Sequence, residues 1–255
     1  MTEASRRLRS FGASGRVADP PNKGIRMSKK PSVVLVHGAW GDGSHWSKLI
    51  PVLHAKGYRV SAVQNPLTSL ADDIQRTRQL VEMQEGPVLL VGHSYGGAVI
   101  SGAGNAPQVA GLVYVAAFAP DEGEKVGGLL SRHEQPAGAK AIRPDPHGFL
   151  WLDRKLYKES FCQDLGDDAA LIMAAAQKPT AVRCFEDAAG TPAWKQRPSW
   201  YQVSLEDHMI PPETQQWMAQ RMQAKKTVEL ASSHASLAAY PHELAALIEE
   251  AAAQL

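Results

Sequence analysis

The chain reads as an α/β domain, a mostly parallel sheet flanked by helices, with a helical cap inserted over the ends of the strands. Three observations predict it. Short apolar runs, "SVVLV" (32–36), "VLLV" (88–91) and "VAGLVYVAAF" (109–118), have the character of strands buried on both faces. Segments with helical apolar spacing separate these runs, the alternation that a parallel sheet requires. From about residue 119 to 197 that rhythm gives way to Gly/Pro-punctuated sequence carrying Phe149, Trp151, Tyr157, Phe161, Phe185 and Trp194, with no strand-like run.

The elements follow in order. Residues 1–30 set Arg6, Arg7, Arg9, Arg16 and Arg26 among Ser, Gly and Pro, and no apolar period emerges to bury. They read as a disordered tail, or as sequence upstream of a natural start at Met27, and the domain is assigned to 31–255. After "SVVLV" comes the loop "HGAWGDG", then a helix from about Ser44 to Ala55 with Trp46, Leu49, Ile50 and Leu53 on one face and Gly57 as its stop. "YRVSAV" is a short strand. Ser69 and Asp72 stand at capping-box spacing and open a helix whose inward face carries Leu70, Ile74 and Val81. Beyond the insertion, "PSWYQVSL" and "TVELA" are strands, and "PPETQQWMAQRM" and "HELAALIEEAAAQ" are helices.

Composition narrows the function. With 255 residues and a formal net charge of +1, nothing favours nucleic acid or a polyanion as partner. No stretch has the length of a membrane span, so no membrane partner is expected. Cys162 and Cys184 are too few for a disulfide framework and read as free thiols in a reducing, cytoplasmic setting. No C-x-x-C, H-E-x-x-H, Walker loop or strand-linked G-x-G-x-x-G is present, so neither metal nor cofactor is expected.

The chemistry starts at Gly92-His93-Ser94-Tyr95-Gly96, a G-x-S-x-G elbow that lifts a serine hydroxyl clear of the sheet edge. A serine hydroxyl is a poor nucleophile until a base takes its proton and an acid orients that base. On this topology the order is Ser, acid, His, each after a strand. "SLEDHMIPPE" sets Asp207 after one strand, and "TVELASSHA" sets His234 after the last. Asp121, Glu206 and His208 are rivals for these roles, while His37 and His93 sit in the glycine turns as structural residues. Two oxyanion donors are also needed: the Tyr95 N–H, and one from "VHGAW", with Ala39 first and Trp40 second.

From about Val33 onward, "VLVHGAWGDGSHW", "VGHSYGG", "LEDHMIPPETQQWMA" and "SSHA" resemble the α/β-hydrolase superfamily, most of all the branch of plant methyl-ester esterases, hydroxynitrile lyases and bacterial esterases such as pyrethroid hydrolases. The resemblance implies the α/β-hydrolase fold and a small-molecule ester as substrate. Residue by residue it makes Ser94 the nucleophile, His234 the base, Asp207 the orienter, and Ala39 and Tyr95 the oxyanion donors. The lyases of this branch carry threonine where this chain has Gly38 and lysine where it has Ala235, so the resemblance implies hydrolysis of a hydrophobic ester through an acyl-enzyme. A lyase, or a catalytically weak binder on the same fold, is the alternative. Trp40, Phe149, Trp151 and Phe161, with Leu152 and Leu156 beside them, are expected to line the substrate site.

Overall fold

The computed structural model describes residues 30–255. The expected tail therefore lies almost wholly outside the described residues. Strands β1 (Ser32–Val36), β2 (Val60–Ala62), β3 (Val88–His93) and β4 (Val109–Val115) form the first part of the sheet. The stretch after β4 adds no strand to it. Instead it builds three short helices (Val126–Leu130, Tyr157–Phe161 and Arg183–Glu186), the longer helix Asp167–Ala176, and a small sheet of β5 (Ile142–Pro144), β6 (Phe149–Leu152) and β7 (Thr180–Ala181). The chain then returns as β8 (Ser199–Ser204) and β9 (Lys226–Leu230) to complete a six-stranded parallel sheet ordered β2-β1-β3-β4-β8-β9.

The expectation of no strands in the insertion is corrected by this antiparallel β5–β6–β7 sheet. Its strands are only two to four residues long, too short for a period to show, even though β6 is the apolar run Phe-Leu-Trp-Leu and β7 is buried.

Period-two alternation in β1, β3 and β4 sorts side chains onto two faces. Val33, Leu35, Leu89, Val91, Val113 and Val115 pack on one side, with the helices Leu49–Ala55 and Pro241–Ala253. Val34, Val36, Val88, Leu90, Leu112 and Tyr114 pack on the other, with the helices Leu70–Glu82 and Tyr95–Ala103 and the insertion. The predicted helix over 44–55 is split into a 3₁₀ turn, Gly43–Trp46, and the helix Leu49–Ala55. Trp46, Leu49 and Leu53 are nevertheless buried as expected, and Gly57 beyond the helix takes φ +81°. Ser69 Oγ accepts from the Asp72 N–H at 3.1 Å, the first half of the expected capping box.

The sheet order reverses at β1. The chain leaves β1 for β2 on one side and returns to β3 on the other, which opens a crevice beyond the carboxyl ends of β1 and β3. The loop after β1 and the turn after β3 meet there.

Candidate active site

Ser94 sits between β3 and the helix Tyr95–Ala103 with φ 56° and ψ −127°, a region costly for any residue with a side chain. The surrounding backbone fixes it there. Its N–H donates to Val115 O at 3.1 Å, and its carbonyl accepts from Gly97 N–H at 2.9 Å and Phe118 N–H at 3.0 Å. The turn closes against β1 because Gly96 has no side chain: a Cβ there would run into the Val36 and His37 carbonyls. Gly38 faces Ser94 in the same way. A Cβ on it would lie 2.6 Å from Ser94 Cβ and 2.9 Å from His93 O.

After β8, the Asp207 carboxylate is held at all points. Oδ1 accepts from the Met209 and Ile210 N–H groups at 2.7 and 3.0 Å, and Oδ2 from Gln215 Nε2 at 2.8 Å. Oδ2 also lies 2.7 Å from His234 Nδ1, and both side chains are fully buried. Since every other lone pair of Asp207 is used, this contact fixes the histidine tautomer with the proton on Nδ1. His234 Nε2 is left buried and without a hydrogen-bond partner among the described residues. His93 Nε2 is 2.8 Å from the His234 carbonyl, and the Phe161 ring stands edge-on at 4.8 Å, so the imidazole is packed on both sides. The structure thus brings Asp207 and His234 together and draws no hydrogen bond from Ser94 to Nε2.

The rivals fall elsewhere. Asp121 is ion-paired with Lys195 at the surface. Glu206 is exposed, and His208 Nδ1 is 2.8 Å from Glu159 O. His37 is buried between Gly38 O, 2.9 Å from Nδ1, and the Asn65 N–H, which donates to Nε2 at 3.0 Å. Burial lowers its pKa to about 4, so it stays neutral and pins the loop after β1.

Of the two candidate loop donors, the Trp40 N–H is already committed to Thr180 Oγ1 at 3.0 Å. The Ala39 N–H finds no acceptor among the described residues. Tyr95 opens its helix, where the first N–H groups have no partner within the helix. Ala39, Trp40 and Ser94 line one small apolar pocket together with Phe118, Phe185, Met209 and Ile210. Ser94 is the one polar residue lining it among the described residues.

The expected aromatic lining divides. Trp40 lines the cavity, whereas Phe149, Trp151 and Phe161 do not. Trp151 turns outward to Asp145, with its Nε1–H donating to Oδ2 at 3.0 Å. Phe161 is spent on packing His234 and His93. Phe149 lies in β6 and packs on the edge of the core. The lining instead takes Phe118, Met209 and Ile210, which follow strands β4 and β8. Position just past a strand end was the available signal. Gln215, which orients Asp207 and also accepts from the Ser204 N–H at 3.0 Å, had none.

A model of the alpha/beta hydrolase family matches residues 33–247. Among curated proteins, the chain is 34% identical to a carbendazim-hydrolysing esterase of Nocardioides sp. (strain SG-4G), across 40% of this chain and 48% of that one. It is 26% identical to salicylic acid-binding protein 2 of Nicotiana tabacum, across 89% and 98%. Among solved structures, a pyrethroid hydrolase from Sphingobium faniae JZ-2 superposes with a TM-score of 0.78 at 24% identity, covering 88% of this chain and 97% of that one. At that identity the likeness shows the fold.

Proposed function

The chain belongs to the α/β-hydrolase family, and from that premise we propose that it is a serine hydrolase cleaving small hydrophobic carboxylic esters through an acyl-enzyme. The buried Asp207–His234 pair carries the reading: the tautomer it fixes presents a bare Nε2, the form a general base needs. Ser94 on its strained elbow is the nucleophile that base would serve. Such contacts are often open without substrate and tighten in the reacting complex.

In this mechanism Ser94 Oγ attacks the ester carbonyl while its proton passes to His234 Nε2. The carbonyl oxygen becomes an oxyanion facing the Ala39 and Tyr95 N–H groups. Collapse breaks the bond to the alcohol oxygen, which leaves with the proton from Nε2. Water then repeats the sequence on the acyl-Ser94 ester and releases the acid. Asp207 stabilises the imidazolium formed in each half. The apolar cavity beside Ser94 supports a substrate with a hydrophobic acyl or alcohol group and offers no partner for a charged one. The two cysteines are buried and unpaired, which fits the cytoplasm. Residues 119–197 serve as the cap over the site.

Labelling with a fluorophosphonate probe tests the reading. The native chain should be labelled and lose its aryl-ester turnover, and Ser94→Ala should show neither. Undiminished labelling of Ser94→Ala refutes the assignment.

A further inference from the structure

The helix Leu70–Glu82 buries a stripe of Leu70, Asp73, Thr77 and Val81, and Asp73 has no exposed surface at all. Its carboxylate stands at a junction of three elements. Oδ2 accepts from the Tyr95 hydroxyl at 2.7 Å, from the residue after Ser94. Oδ1 accepts from the Leu67 N–H at 2.8 Å. The Cys184 thiol, on the insertion's helix Arg183–Glu186, approaches Oδ2 at 3.9 Å.

Both strong partners lead onward to the cavity. Leu67 holds φ +59°, a left-handed backbone that a leucine enters only when its surroundings impose it. Its carbonyl accepts from the Ala181 N–H of β7 at 2.9 Å, so the residue clamped by Asp73 clamps the insertion in turn. The Tyr95 ring lies 6.0 Å from that of Phe185, and Phe185 lies 5.8 Å from Trp40. Phe185 and Trp40 both line the cavity over Ser94.

We propose that Asp73 is a positioning residue: by clamping the Tyr95 hydroxyl and the Leu67 backbone it holds the helix Arg183–Glu186, and with it Phe185, in place over Ser94. The kinetic consequence rests on the ester-hydrolase reading above; the placement of the helix does not.

The titratable groups facing Asp73 fit this role. Burial raises its pKa to about 6, against the hydrogen bonds from Tyr95 and Leu67 and the charge of Lys178, with Asp72 adding a small push upward. Burial also holds Tyr95 well above its ordinary value and takes Cys184 to about 12, so both keep their protons as donors. A buried carboxylate of this kind weakens the fold unless its donors are fixed, and such groups gather where geometry serves function.

Two variants of the full chain test the clamp. Asp73→Asn turns an NH₂ against one of the two donors, and Tyr95→Phe removes one donor while leaving the elbow backbone intact. Amide hydrogen exchange is measured over residues 180–187, with β3 as the internal reference. Exchange there should quicken about tenfold in each variant, the scale of one lost charge-assisted hydrogen bond, while β3 keeps its protection. Wild-type protection over 180–187 in a folded Tyr95→Phe overturns the proposal, whatever the kinetics show and even if Asp73→Asn does not fold. Turnover per labelled Ser94 is then compared on p-nitrophenyl acetate and butyrate. In Asp73→Asn a misplaced wall should raise KM for the butyrate about tenfold and leave kcat on the acetate within about threefold. Equal losses on both esters, with KM unchanged, mean fold damage alone and overturn it. Ester turnover that survives in Ser94→Ala counts against the hydrolase reading and leaves the exchange result standing.

Discussion

Asp207→Asn separates an orienting carboxylate from a merely buried one, because the structure dictates what the amide must do. All four contacts of Asp207 are with donors: the N–H groups of Met209 and Ile210, Gln215 Nε2 and His234 Nδ1. An asparagine of the same shape offers one accepting oxygen and one donating nitrogen. If the oxygen stays with the two backbone N–H groups, the NH₂ meets His234 Nδ1 and drives the imidazole proton to Nε2. The base then faces Ser94 in the wrong tautomer, and the imidazolium loses its counter-charge. Loss of the corresponding carboxylate charge elsewhere lowers kcat by about 10⁴, or roughly 5.5 kcal/mol of barrier. If the amide flips, two backbone donors are stranded and stability falls by about 1–3 kcal/mol each. Steady-state kinetics on an aryl ester and a thermal melt of the same preparation tell these outcomes apart. Asp121→Asn, at the surface beside Lys195, is the control and should stay within about threefold of the native rate. A kcat for Asp207→Asn within tenfold of native, in a protein that melts normally, refutes the reasoning.

Gln215→Leu keeps the volume of a side chain that donates to Asp207 and Ile210 and accepts from Ser204. Its kcat should drop about tenfold with little change in KM, and a change in KM alone would deny Gln215 any part in orienting Asp207. The pKa of Asp73, raised from 3.8 to about 6, makes the folded state hold a proton that the unfolded chain has released. Stability from this group is therefore greatest below pH 4 and falls as pH rises to about 6, by roughly 3 kcal/mol. Relative to the native chain, Asp73→Asn should gain Tm on the order of 5–10 °C between pH 4 and pH 7. A constant difference between the two melting curves would show that Asp73 ionises normally. Mandelonitrile should release no cyanide above the buffer rate, because a threonine Cβ at position 38 would lie 2.6 Å from Ser94 Cβ and Ala235 carries no ammonium. Cyanide release that vanishes in Ser94→Ala would place the chain among the lyases.

Features of the sheet and its strand ends were legible in the sequence because each leaves a local mark. Buried strands are apolar in unbroken runs: β1 and β4 fall inside the runs quoted for them, and β3 contains its run and extends it to His93. The pairing of Asp207 with His234 could be anticipated because the fold presents reactive groups just past strand ends. The sequence ranked Ala39 before Trp40 as loop donor, but the contact that bears on that ranking has no sequence signal: Thr180 lies 140 residues away and takes the Trp40 N–H. The insertion was the least legible part. Its aromatic residues are equally suited to lining a pocket, packing a histidine or facing outward, and Phe185, Phe161 and Trp151 do one of these each.

Asp73 shows how a functional candidate hides inside a correct prediction. The inward face of its helix was read from Leu70, Ile74 and Val81, yet Ile74 is only partly buried, and Asp73 and Thr77 complete the stripe. Hydrophobic periodicity assigns a face by its apolar members and passes over a polar residue at the same angle. A carboxylate at i+3 from one core residue and eight before another is rotated onto the core whatever its polarity, because the backbone sets the direction of Cβ. Once there it must find donors, and the elements that supply them are the helix that follows Ser94 and the loop that anchors the insertion. The misplaced aspartate in an apolar stripe is thus the sequence signal. It becomes visible only when the helix is drawn as a wheel and each inward position is asked what it bonds, rather than how apolar it is.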